Sequence, residues 1–191
     1  MRILGVDPGS LHTGYGVIDV AQGSVVPVDA GVIAPPAGLE LVDRLTFIAS
    51  QLAEVARAAA PDVVAIENIF TARSPRSALV LGQARGAAMV AVGSLGVPVV
   101  EVAPSRVKSL VAGHGRAGKT QVARAVRQIL HLEGKLPVDA SDALAIALSV
   151  AFHLPGPGAT LPRVRVRKQS AREAWNQELR SKLPGRGRPR P

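Results

Sequence analysis

Arg2-Ile3-Leu4-Gly5-Val6-Asp7-Pro8-Gly9-Ser10 is the stretch on which the fold turns. Ile3 to Val6 run without polar interruption, the pattern of a strand buried on both faces. Pro8-Gly9-Ser10 ends it sharply. Asp7 therefore stands at the edge of a core element, where a carboxylate is costly to desolvate unless something pairs with it. A second run, Val63-Val64-Ala65-Ile66, ends in the same way on Glu67, and Asp139 and Asp142 open the apolar stretch Ala143 to Leu148. The sequence offers no equal set of nearby bases, so a bound cation is the economical partner. Four converging carboxylates suggest Mg²⁺ or Mn²⁺ and chemistry on phosphates.

The elements around these runs predict how they meet. Thr13–Val20 and Ser24–Ala34 read as two further strands joined by a turn at Gln22-Gly23. Leu41, Leu45, Ile48, Leu52, Val55 and Ala56 recur at helical spacing between Leu39 and Ala60, and Pro61 stops that helix. Asp62–Glu67 is a strand, Arg76 to about Leu95 a helix, and Val97–Val102 a fifth strand. Helices follow over Pro104–Ala112, Lys119–Leu132 and Asp139–His153. Three strands in hairpin succession, then strands separated by helices, give an α/β fold. It is a mixed five-stranded sheet flanked by helices on both faces, the ribonuclease-H-like arrangement. Crossovers through helices make the later strands parallel to the first. If the first and fourth strands are neighbours, Asp7 and Glu67 end at one edge. Residues 139 and 142 lie about 60° apart on a helix, so both can face that edge.

Composition narrows the classes. A chain of 191 residues with 47% apolar content holds one domain with a sizeable core plus an appendage. Cysteine is absent, which excludes disulfides and thiolate metal sites and fits a reducing compartment. The N-terminus lacks the basic start and cleavage site of a secretory signal, and Ala143 to Leu154 is far below the roughly 20 apolar residues that span a bilayer. A cytoplasmic protein without a membrane segment is expected.

The formal charge of +9 is unevenly placed. Residues 1–154 carry 13 Lys and Arg against 12 Asp and Glu, a net of +1, whereas residues 155–191 carry 10 against 2, a net of +8. The first segment reads as the folded domain. The second reads as a basic, disordered tail rich in Pro, Gly and Arg, with one amphipathic stripe at Trp175, Leu179 and Leu183. Such a tail is either a nucleic-acid arm or a solubilising extension.

Each motif has a bland reading beside the sharp one. Asp7-Pro8-Gly9 resembles a simple turn former and also the phosphate loop of the actin and sugar-kinase superfamily, but that superfamily needs two such domains. Asp139 and Asp142 could cap their helix while ligating metal. Gly113-His114-Gly115-Arg116-Ala117-Gly118-Lys119-Thr120 matches the P-loop pattern in full. A P-loop follows a buried strand, however, and Pro104 to Ala112 reads as a helix, so a basic loop meeting a phosphate backbone is expected and no nucleotide cofactor. Phe70, beside Arg73 and Arg76 in the loop after Glu67, is either a wedge against bases or a core plug. Ser77–Leu95 is rich in Ala and Gly, which favours close approach to another backbone, inside the domain or across a dimer axis.

Five phrases together carry a family resemblance. They are Gly5-Val6-Asp7-Pro8-Gly9, Ala65-Ile66-Glu67, Leu81-Gly82-Gln83-Ala84-Arg85-Gly86, residues 113–122, and Asp139-Ala140-Ser141-Asp142-Ala143-Leu144-Ala145. Over residues 1–154 the chain resembles the RuvC-type Holliday junction resolvases. The resemblance implies a homodimeric endonuclease that cuts four-way DNA junctions with Mg²⁺ or Mn²⁺, two ions per site, beside the RuvA–RuvB branch-migration complex. It implies catalytic and metal-binding roles for Asp7, Glu67, Asp139 and Asp142. It also assigns a base-disrupting role to Phe70 and DNA contacts to Lys108 and Lys119. Arg73, Arg76 and Arg116 join the expected DNA-binding set from their basic loops. Paired nicks leaving a 5′ phosphate and a 3′ hydroxyl are the expected reaction, in recombination and repair. A nuclease acting on RNA or flaps and a non-catalytic junction binder are the alternatives.

Overall fold

The computed structural model describes residues 1–68 and 74–153. The strands are β1 (Arg2–Asp7), β2 (Thr13–Ala21), β3 (Ser24–Ile33), β4 (Val63–Glu67) and β5 (Val99–Val102). The helices are α1 (Leu41–Ala59), α2 (Pro75–Gly93), α3 (Pro104–Ala112), α4 (Lys119–Ile129) and α5 (Val138–Ala151). The sheet runs β3-β2-β1-β4-β5, with β1–β2 and β2–β3 antiparallel and β1–β4 and β4–β5 parallel. The expected five-stranded mixed sheet is the one found, with boundaries moved by a residue or two at most helix and strand ends. The turn at Gln22-Gly23 has positive φ at both residues, 50° and 82°. That is the primed hairpin turn whose twist matches the flanking strands.

The alternation of side chains along β1 and β4 splits the core in two. Leu4, Val6, Val64 and Ile66 face Ile48, Leu52 and Ala56 of α1 and Ala88, Ala91 and Val92 of α2. Ile3, Val63 and Ala65 face α3, α4 and α5 on the other side. Period two therefore turns Asp7 and Glu67 toward the α5 face. On α4, Val122 and Val126 are buried one turn apart and Leu130 follows at the helix end, the stripe of a one-sided helix.

Helix α5 differs. Every residue from Ala140 to Val150 except Asp142 is buried, as expected of a helix covered on all sides. The sheet lies under it and α3 and α4 lie over it. Three strand glycines set how close it comes. A Cβ on Gly5 would collide with the Ala143 carbonyl, one on Gly14 with the Asp139 carbonyl, and one on Gly16 with the Leu144 side chain. Gly5 pairs with Gly16, and Gly14 pairs with Asp7, so the clearance lies directly beside the acidic strand end. Among the described residues no helix is long and apolar enough to cross a membrane.

Candidate active site

β1 and β4 run in parallel register, with Val6 opposite Ile66, so the carboxylates one step further on emerge side by side. The loop after Asp7 is fixed from below. Thr13, fully buried, donates from Oγ1 to the Gly9 carbonyl (2.8 Å) and accepts from the Gly9 N–H (3.3 Å). Glu67 is followed by Asn68, whose N–H donates to the Val102 carbonyl (2.8 Å) and closes the ladder to β5.

The first turns of α5 complete the group. The helix opens after Pro137 with no side-chain capping bond, and Asp139 lies in its first turn. The expected capping by these aspartates is thus not found. The reason is positional: the helix begins one residue before Asp139, which puts the two acids inside the helix and not at its cap. A carboxylate there still gains from the N-terminal end of the dipole.

Asp7, Glu67 and Asp142 line a cleft of about 260 Å³ with Lys108, Lys119, Pro104 and Val107. Asp139 does not line it, although its charge is felt there. Asp7 is pushed up to about 7, first by burial and then by the charges of Glu67, Asp142 and Asp139, with only Lys119 opposing. Glu67 is also raised, by burial and by Asp142, while Lys119 and Lys108 pull it down. Lys119 pairs with Asp142 through Nζ and Oδ2 at 3.3 Å, and that pairing raises the lysine. The lysine side chain is 79% exposed, so this is a screened surface pair and not a locked one.

This donor set fits a hard divalent cation. It is all carboxylate oxygen, it lies in one cleft wall, and its charge is offset by one exposed lysine and one half-buried one. Among the described residues, however, no three His, Asp or Glu side chains are drawn close enough to hold an ion as they stand. Burial and the charges of Glu67, Asp142 and Asp139 nonetheless all act on Asp7 and raise it.

Other expected residues separate. Arg116 is exposed in the loop between α3 and α4, and Arg76 is exposed at the start of α2, where it lines a shallow depression with Ser10. Phe70 and Arg73 lie outside the described residues, as does the chain from residue 154 onward with Trp175, Leu179 and Leu183. The P-loop look-alike, residues 113–120, follows helix α3 and leads into α4, with no strand feeding its glycines. Sequence reasoning missed Thr13 and the spacing role of Gly5, Gly14 and Gly16. Glycines inside strands are a usable sign of close backbone approach, and two of them stand in Thr13-Gly14-Tyr15-Gly16.

Comparison with known proteins decides what class of protein carries this cleft. The family model described as Crossover junction endodeoxyribonuclease RuvC matches residues 3–150. The chain belongs to that family. A RuvC from Hyphomonas neptunium is 46% identical over 155 residues, covering 81% of this chain and 93% of the relative. One from Geobacter sp. is 44% identical over 165 residues, covering 86% and 100%. The structure of Thermus thermophilus RuvC in complex with Holliday junction substrate is 38% identical with a TM-score of 0.74, covering 80% of this chain and 93% of that one. The yeast mitochondrial Holliday junction resolvase Ydc2, 14% identical at a TM-score of 0.57, shares the fold.

The site's electrostatics set a pH dependence. A carboxyl raised above its unfolded value favours the native state while protonated, and that contribution is lost as pH climbs from near 4 through about 7. Chemical unfolding of the metal-free protein should show Asp7→Asn gaining more stability over wild type at pH 8 than at pH 5. An equal gain at both values would mean that Asp7 is not raised.

Proposed function

We infer that this protein resolves four-way DNA junctions by nicking paired strands through metal-assisted phosphodiester hydrolysis. The observation that carries the reading is the meeting of Asp7, Glu67 and Asp142 in one cleft, with Asp139 close enough to act on Asp7, in a chain of this family. Asp7, Glu67, Asp139 and Asp142 would hold divalent metal, Mg²⁺ or Mn²⁺, two ions in the full site. Bound there, the metal supplies an activated water and charge stabilisation for the leaving 3′ oxygen, giving a 5′ phosphate and a 3′ hydroxyl.

The chain's own groups bind and aim. Burial of Asp7 and Glu67 at the strand ends fixes where the charge sits and limits water around the reacting phosphate. Lys108 and Lys119, on the cleft wall, offer cations to the backbone of the cut strand. Arg76 and Arg116 lie further out and suit flanking phosphates. Phe70 and Arg73, in the loop after Glu67, are assigned to bases near the crossing point on the strength of the resemblance alone. The basic tail is proposed as a general DNA arm, and cooperation with RuvA–RuvB in the cytoplasm completes the reading.

Two symmetric nicks require two sites, which a two-fold dimer supplies. Helix α2 suits that role. Its Leu79, Gly82, Gly86 and Val90 share one exposed face, with Leu79 65% and Val90 76% exposed. A Cβ on Gly82 or Gly86 would meet nothing within 4 Å, so these glycines serve no close approach inside the domain. They leave room for a second backbone.

Asp142→Asn should bind a four-way junction normally and cut it at least about a hundredfold more slowly in Mg²⁺, since a metal-holding carboxylate is gone. Cutting at the wild-type rate would remove Asp142 from the machinery and leave a binding protein as the better account. Val90→Asp should weaken self-association by about tenfold or more, roughly 1.4 kcal/mol, in sedimentation equilibrium. Wild-type protein that stays monomeric on junction DNA would refute the dimer.

A further inference from the structure

We propose that Arg85 is a positioning residue that holds the end of β4, and with it Glu67, from the opposite side of the sheet. The inference rests on the role given to Glu67 above. Arg85 comes from α2, and its Nε–H donates to the main-chain carbonyl of Glu67 at 3.2 Å. Its Nη2 lies 2.6 Å from Oε2 of Glu101 on β5, with side chains 17% and 45% exposed. That Nη2 is buried and has no aligned hydrogen-bond acceptor, so the Glu101 contact is one of charge with charge.

The faces of the sheet explain why a carbonyl is gripped and not a carboxylate. Glu101 pairs with Ile66, and Ile66 faces α1 and α2, so Arg85 works on that side. The Glu67 side chain alternates to the α5 side and lines the cleft. Arg85 is accordingly absent from the charges that shift Glu67, which are those of Asp142, Lys119 and Lys108. Its charge is matched by Glu101, and its fork clamps β4, β5 and α2 at a single point.

That point needs a clamp. The last ladder bond at this end of β4 is from Asn68 to Val102, and Glu67 stands beside it. The sheet pairs Glu67 with one neighbour only, Val102 of β5, just as it pairs Asp7 only with Gly14 of β2, and Arg85 adds a second tie at Glu67. Within Leu81-Gly82-Gln83-Ala84-Arg85-Gly86, Ala84 is buried and Gly82 and Gly86 are exposed, so Arg85 is the residue that connects this helix to the active edge.

The test compares Arg85→Lys, Arg85→Ala, Glu101→Gln and a Glu67→Gln control in the full-length protein. At saturating junction and Mn²⁺, Arg85→Ala should lower the single-turnover rate by about tenfold to a hundredfold, the size expected for a misplaced catalytic group, with junction affinity unchanged. Arg85→Lys should recover part of the rate, because one ammonium replaces a fork that reached two groups. Glu101→Gln should change it little, since the Nε bond remains. In the metal-free protein, amide exchange at Asn68 should accelerate in Arg85→Ala while the β1 amides stay protected. Wild-type cutting by Arg85→Ala beside an inactive Glu67→Gln overturns the inference alone. Faster exchange across the whole sheet overturns it too, because Arg85 would then be a general stability residue. Full cutting by Glu67→Gln overturns the reading of the site on which the inference stands.

Discussion

Everything at the active edge depends on how closely α5 lies against the sheet. The helix is buried on every side, so its position is set by packing and not by solvent. Gly5, Gly14 and Gly16 remove the side chains that would hold it off, and the Asp139 and Ala143 carbonyls rest where Cβ atoms would stand. With the helix pressed down, its acidic first turns reach the ends of β1 and β4. A bulkier residue at Gly5 or Gly14 would lift the turn and carry Asp139 and Asp142 away from Asp7 and Glu67.

Close approach creates an electrostatic problem that the protein leaves unsolved on its own. Asp7 is pushed to about 7 by burial and by three like charges. Lys119 relieves part of this from an exposed position, and Lys108 helps at Glu67. A purely structural site would pair its carboxylates with buried arginines, since an unpaired buried charge destabilises the fold. Arg85, half-buried near Glu67, is committed to Glu101 and to a main-chain carbonyl instead. The remaining deficit of positive charge lies where a hard cation and a phosphate backbone would meet.

Much of this was legible in the sequence, for identifiable reasons. Apolar runs ending in Asp7 and Glu67 are strong local signals, and helical spacing and turn chemistry placed the rest. Val6 opposite Ile66 follows once two parallel strands are neighbours. The closeness of α5 was less legible, because it depends on which strand face each glycine occupies. The capping alternative for Asp139 and Asp142 fails because the N-cap is Pro137, two residues before Asp139, and helix starts are the least predictable feature of a helix. Arg85 stands within Leu81–Gly86, but nothing local says that its guanidinium reaches a carbonyl 18 positions away.

The central claim is that the acidic cluster is poised for a divalent cation that its own lysines do not replace. Calorimetric titration of Mn²⁺ into the metal-free protein near pH 7, in buffers of differing ionisation heat, tests it most directly. Asp7 is partly protonated there, so Mn²⁺ binding should release protons, and both binding and release should weaken sharply in Asp7→Asn. Undiminished Mn²⁺ affinity in Asp7→Asn, or binding without proton release, would contradict the account.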